Sequence, residues 1–139
     1  MEYARNVLGI ADAEHEESLP GAPTVVISKL ACSLVGKTQK ITMALNSIAH
    51  RAYGGKEVME EFFCNYGLNP IFRDQISKSK LSITGVDPEG QVRIVELFDH
   101  PFFVATLFLP QMASSHGSAH PLIVSFLEAA INPQTRKCR

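Results

Sequence analysis

Apolar positions near the start of the chain follow a helical period: Tyr3, Ala4, Val7, Leu8 and Ile10 share one face, and Gly9 offers a stop, so residues 2–10 predict a helix. Residues 12–23 are acidic and then rich in Pro and Gly, which predicts a surface loop. The pattern then changes to β-branched and extended. Residues 24–28, 29–35 and 40–43 predict three strands, and residues 47–53 a short helix closed by Gly54 and Gly55. Residues 58–64 predict a further strand and residues 65–69 a turn. Pro70 then stands at the first position of a helix reaching about residue 77, with Asn69 as its cap.

Two runs, 81–86 and 92–98, flank Asp87-Pro88-Glu89-Gly90 and predict a β-hairpin. Residues 102–108 are apolar on both faces, the pattern of a strand buried in the middle of a sheet. A Ser- and Gly-rich loop over 112–119 leads to an amphipathic helix over 121–130. Strands and helices interleave, so the expected class is α/β, with no internal repeat.

Composition narrows the possibilities. The 139 residues are 45% hydrophobic and 19% charged, which is globular, and a chain of this length buries roughly two-thirds of its unfolded surface. With 13 basic against 14 acidic residues there is no excess of positive charge to track a phosphate backbone, so nucleic acid is not expected as a partner. The only basic clusters are Lys78 with Lys80 and the Arg136, Lys137, Arg139 tail. No apolar run approaches the ~20 residues of a membrane helix, and the first residues, with Glu2 and Arg5 and no apolar block, are not expected to act as a signal peptide. Cys32, Cys64 and Cys138 are widely spaced, which suits a reducing compartment, and the expected location is cytoplasmic.

Several constellations could carry chemistry. Residues 31–38 approach a phosphate-binding loop, with Gly36-Lys37-Thr38 at its end, and would make the chain a nucleotide-binding protein. Ala31 replaces the first glycine, however, and Leu34 and Val35 read as strand, so a strand followed by a turn is the more economical account. His116 and His120 have a zinc-like spacing without two further ligands, so no metal is expected. His50 and His100 are read as an ordinary helix residue and a turn residue. Cys64 sits where a strand gives way to a turn and is a candidate reactive thiol.

Glu2-Tyr3-Ala4-Arg5-Asn6-Val7-Leu8-Gly9, Asn65-Tyr66-Gly67-Leu68-Asn69, Val95-Glu96-Leu97, His100-Pro101-Phe102-Phe103-Val104-Ala105 and His120-Pro121-Leu122 together resemble the glutamine amidotransferase domain of CTP synthase. The likeness runs from end to end. It implies the flavodoxin-like three-layer α/β fold of class I glutamine amidotransferases. It implies also the family's role, glutamine hydrolysis supplying ammonia for pyrimidine nucleotide synthesis, without a cofactor. In that chemistry a Cys thiolate attacks the carboxamide, two backbone N–H groups hold the oxyanion, and a His oriented by a Glu shuttles the proton.

The resemblance places the family's nucleophile elbow upstream of the helix on which this chain starts. Residues 1–139 are therefore expected to form a single, N-terminally incomplete domain. It places the family's His-Pro-Glu on Leu109-Pro110-Gln111, so no catalytic residue is expected here and the chain should be inactive alone. On the substrate side it places the glutamate that holds the amino group on Glu17. The arginine that holds the carboxylate falls on Asn65, beside Tyr66. Expected partners are glutamine or another small molecule, or a subunit supplying the N-terminal half. The alternative is a non-enzymatic module that binds a small ligand or a partner.

Overall fold

The computed structural model describes residues 1–132; the basic tail residues Arg136, Lys137 and Arg139, and Cys138, lie outside the described residues. The first helix, α1 (Glu2–Asn6), is shorter than the 2–10 span predicted. Gly9 lies at φ +72, and the Ile10 amide N–H returns to the Ala4 carbonyl at 3.0 Å, so the chain doubles back where a helix would continue. Arg5 fastens that return, donating to the Ala13 carbonyl at 2.9 Å and to Glu14 at 2.8 Å.

Glu14 and His15 form β1, a two-residue strand inside the predicted loop, parallel to β2 (Val25–Lys29). β5 (Tyr66–Leu68) adds antiparallel to β2 and completes a three-stranded sheet. A turn was predicted at β5. Its residues extend because Gly67 is buried there, with so little room that an added Cβ would come within 2.9 Å of Leu30 Cδ2.

The larger sheet runs β4-β3-β6-β7-β8 and is antiparallel throughout. β3 (Lys37–Met43) begins three residues earlier than predicted because Lys37 already pairs with Phe62 of β4 (Glu57–Phe62). Between them α2 (Ile48–Tyr53) follows the prediction, with the Ser47 side chain accepting from the His50 N–H and Gly54 ending it at φ +68. Asn69 also caps as predicted, accepting from the Ile71 N–H at 3.2 Å, although one 3-10 turn (Pro70–Phe72) precedes α3 (Arg73–Ser77). β6 (Leu81–Val86) and β7 (Val92–Leu97) form the expected hairpin.

Two predicted strands differ. Residues 30–36 are irregular, because buried Leu34 and exposed Gly36 donate their N–H groups to the carbonyls of Cys64 and Phe62 and the intervening chain cannot lie in a ladder. β8 (Val104–Thr106) is a three-residue strand at the sheet edge, not its centre. The apolar residues around it are used by aromatic packing instead: Phe108 meets Phe62 edge to face at 5.9 Å, and Phe102 meets Phe126 at 5.6 Å.

The last helix, α4 (Pro121–Ile131), packs against α2. Leu34, Ile41, Met43, Ala49, Phe62, Ile94, Phe108 and Leu122 form the main core. Each large side chain in it contributes about 1.5–3 kcal/mol by leaving water. A smaller core of Ala4, Ala13 and Val26 joins α1 to β2. No helix among the described residues is long and apolar enough to cross a membrane.

Candidate functional site

Of the residues predicted to face a substrate, Glu17 and Tyr66 both meet His15 of β1, and Asn65 precedes Tyr66 in the chain. Glu17 follows β1, and its backbone N–H donates to His15 Nδ1 at 3.1 Å. The His15 ring in turn leans on the Tyr66 ring, 5.1 Å between centroids. Tyr66 stands opposite Lys29 in the β2–β5 register, and Asn65, just before it, accepts the Leu30 N–H at 2.8 Å on its carbonyl. Lys29 N–H donates to Glu16 at 2.5 Å, which ties the acidic segment to β2. Among the described residues the Glu17 carboxylate, the Asn65 amide and the Tyr66 hydroxyl make no hydrogen bond. Glu17 and Asn65 are exposed and Tyr66 is half-buried, so the corner presents one negative and two neutral polar groups to solvent.

Cys64 borders this corner. Its thiol is half-buried and donates to the Tyr66 carbonyl at 2.8 Å, so its proton is held within the chain.

Leu109 opens a 3-10 turn (Pro110–Ala113) and is 39% exposed, and Gln111 lies exposed on that turn. The chain leading into it is held by the fold: Leu107 donates its N–H to the Arg93 carbonyl at 3.0 Å, and its Cδ2 lies 3.6 Å from where a Cβ on Gly67 would stand. Gly67 follows Tyr66 directly. The Leu109 turn and the Glu17–Tyr66 corner are thus joined through Leu107 and β5.

The phosphate-loop reading of Gly36-Lys37-Thr38 is corrected by the geometry. These residues lead into β3 and not into a helix, and the Gly36 and Lys37 N–H groups are already bonded to the Phe62 and Leu34 carbonyls. No amide nest remains to cradle a phosphate. Nor do the histidines assemble a metal site: His116 is exposed, His120 is 4% exposed, and no group of three potential ligands stands together among the described residues. His100 accepts the Phe102 N–H on its Nδ1, the turn chemistry expected of it.

His120 belongs to a buried cluster that sequence reading missed. Its Nδ1 accepts the Leu122 N–H at 3.2 Å at the start of α4, which places the ring proton on Nε2. That nitrogen lies 3.0 Å from both Glu60 Oε1 and the Tyr53 hydroxyl. The Tyr53 hydroxyl itself donates to Glu60. Burial first, then the bond to Glu60 and then its charge raise the Tyr53 pKa far above its ordinary value. Ser114 Oγ accepts the His120 N–H at 3.0 Å, so the cluster also anchors the loop that carries Leu109. The available signal was the alternation in β4, which puts Glu60 on the same face as buried Phe62.

A second ionic group is buried between the sheets. Arg93 and Asp87 pair at 2.6 Å with side chains only 5% and 2% exposed, and the guanidinium lies 5.6 Å above the Phe62 ring centroid. This pair lines a cavity of about 570 Å³ together with Gln39, Leu30 and Cys32. A larger groove of about 700 Å³, almost wholly apolar, runs beneath α1 along β7 and β8. Neither is lined by Glu17, Asn65 or Tyr66.

No protein-family model matches the chain. Curated relatives do. CTP synthase of Flavobacterium johnsoniae is 35% identical over 142 residues, covering 95% of this chain and 26% of the relative. CTP synthase of Carboxydothermus hydrogenoformans is 35% identical over 141 residues, 94% and 26%. That of Geobacter sulfurreducens is 32% identical over 147 residues, 99% and 27%. The chain spans about a quarter of the length of these relatives. Among solved structures, the glutaminase domain of Trypanosoma brucei CTPS with bound acivicin superposes with a TM-score of 0.86 at 26% identity, over 99% of this chain and 59% of that one.

Proposed function

The chain is related to the C-terminal part of the CTP synthases and shares the fold of their glutaminase domain, and on that footing we propose a glutamine amidotransferase-like module that does not turn glutamine over. The observation that carries this reading is the Leu109-Pro110-Gln111 turn, set by the resemblance where the family has His-Pro-Glu. Hydrolysis of a carboxamide through a thioester needs a base to take a proton from the nucleophile and return it to the leaving ammonia before water cleaves the thioester. Leu109 presents only hydrocarbon, and the neutral Gln111 amide could not stabilise an imidazolium.

What remains is a binding corner. The Glu17 carboxylate suits the ammonium of an amino acid, and Tyr66 supplies a wall with a free hydroxyl. Asn65 offers a neutral amide where the family has a guanidinium, so the charge-assisted pair to a substrate carboxylate is lost and affinity falls with it. Titration calorimetry with L-glutamine tests this reading. Binding is expected to be weak, to tighten by about tenfold in Asn65→Arg as a charged partner returns, and to vanish in Glu17→Ala. Binding that ignores both substitutions overturns it.

A further inference from the structure

His120 stands where three parts of the fold meet, apart from the corner around Glu17, and its side chain is only 3% exposed. Its two ring nitrogens have different tasks. Pro121 has no N–H, so Leu122 carries the first amide of α4 that a cap can hold, and Nδ1 accepts it at 3.2 Å. Nε2 holds the ring proton 3.0 Å from both Glu60 of β4 and the Tyr53 hydroxyl of α2. The backbone N–H of the same residue donates to Ser114 Oγ at 3.0 Å, and the Ser114 hydroxyl donates to the Pro110 carbonyl at 3.2 Å. One residue thus closes both the first turn of α4 and the turn that follows Leu109.

This arrangement requires a neutral ring. Histidine is the side chain that ordinarily takes up a proton between pH 5 and 8, and with Nε2 already protonated the proton must go to Nδ1. There it makes a donor that faces another donor, the Leu122 N–H. The ring is not free to turn away, because Nε2–H is tied to Glu60, and that bond strengthens when the ring becomes positive. The Phe108 ring also packs on it, 6.1 Å between centroids. Glu60 and Tyr53 are the titratable groups that meet the ring from the elements packed against it. His50 and Arg51 of α2, Glu57 and Glu61 of β4, His116 of the preceding loop and Glu128 of α4 make no hydrogen bond or ion pair with it. Acid therefore acts on the cap and not on the Glu60 bond.

We propose that His120 is an acid-released latch: a proton taken up at Nδ1 uncaps α4, and the first turn of that helix opens together with the Ser114 turn while the ring stays on Glu60. The opened turn uncovers Leu122, which is 5% exposed when the latch is closed. The proposal rests neither on the binding corner nor on the loss of hydrolysis.

The test is an NMR titration of the full chain from pH 8 to pH 5, recording the His120 ring signals and the exchange of the Leu122 amide, corrected for the intrinsic pH dependence of exchange. Protection of Leu122 is expected to fall by about tenfold, with the same midpoint as the ring titration. His120→Asn supplies a capping oxygen that takes up no proton, so protection at Leu122 should become independent of pH. Glu60→Gln leaves an acceptor for Nε2 but removes its charge, and should move both midpoints together to lower pH. That second variant keeps the proposal open to failure even if His120→Asn does not fold. The latch is overturned if the ring gains its proton while Leu122 stays protected, if the ring stays neutral down to pH 5, or if the acid response persists in His120→Asn.

Discussion

Two buried polar groups show how single residues shape this molecule. Tyr53 keeps its proton in the folded chain, whereas the unfolded tyrosine gives it up near pH 10.0. Above that pH the unfolded chain binds fewer protons than the native one, so stability is full below about pH 10 and falls as pH rises further. Urea denaturation between pH 8 and 11 should show that loss in the parent, and Tyr53→Phe should flatten it. Asp87 is the second case. Removing it leaves the Arg93 guanidinium buried without its partner, and Asp87→Ala should cost about 3–5 kcal/mol. Asp87→Ala combined with Arg93→Met should recover part of that loss, which the midpoints of urea unfolding will report.

At the scale of elements, Glu96 joins β7 to the helix above it. Its carboxylate accepts the Ile48 N–H at 2.7 Å and the Ala49 N–H at 2.9 Å, capping α2 from a strand 47 residues away. Glu96→Ala is expected to cost about 2 kcal/mol through loss of two charge-assisted bonds. Amide exchange should accelerate at Ile48 and Ala49 first, and unchanged protection there would remove Glu96 from this role.

Local signals made α2, the 81–97 hairpin, the Asn69 cap and α4 readable, since Ser47, Gly54, Pro70 and Pro121 act within a turn of their own position. β5 and β8 were misplaced because their state is set by distant neighbours. Gly67 extends because β2 pairs with it, and Phe108 leaves the strand direction to meet Phe62. The same reason divides the site: Glu17, Asn65 and Tyr66 were proposed through a resemblance, and of these the Glu17 N–H and the Tyr66 ring both meet His15. The Tyr53–Glu60–His120 cluster spans 67 residues and leaves no contiguous pattern.

At the scale of the whole molecule, the chain shares the fold of just over half of the solved glutaminase domain, and the proposed function turns on Leu109 and Gln111. The corner around Glu17 is exposed and polar, and Glu60 and Ser114 support His120 beside the loop that follows Leu109; under the proposed function the remaining groups bind but do not exchange protons with a leaving ammonia. The most direct test is ammonia release from L-glutamine by the purified full chain, measured in parallel with Cys64→Ala. The expected result is a rate indistinguishable from buffer for both proteins. Ammonia release by the parent that disappears in Cys64→Ala would contradict the account and make Cys64 a working nucleophile.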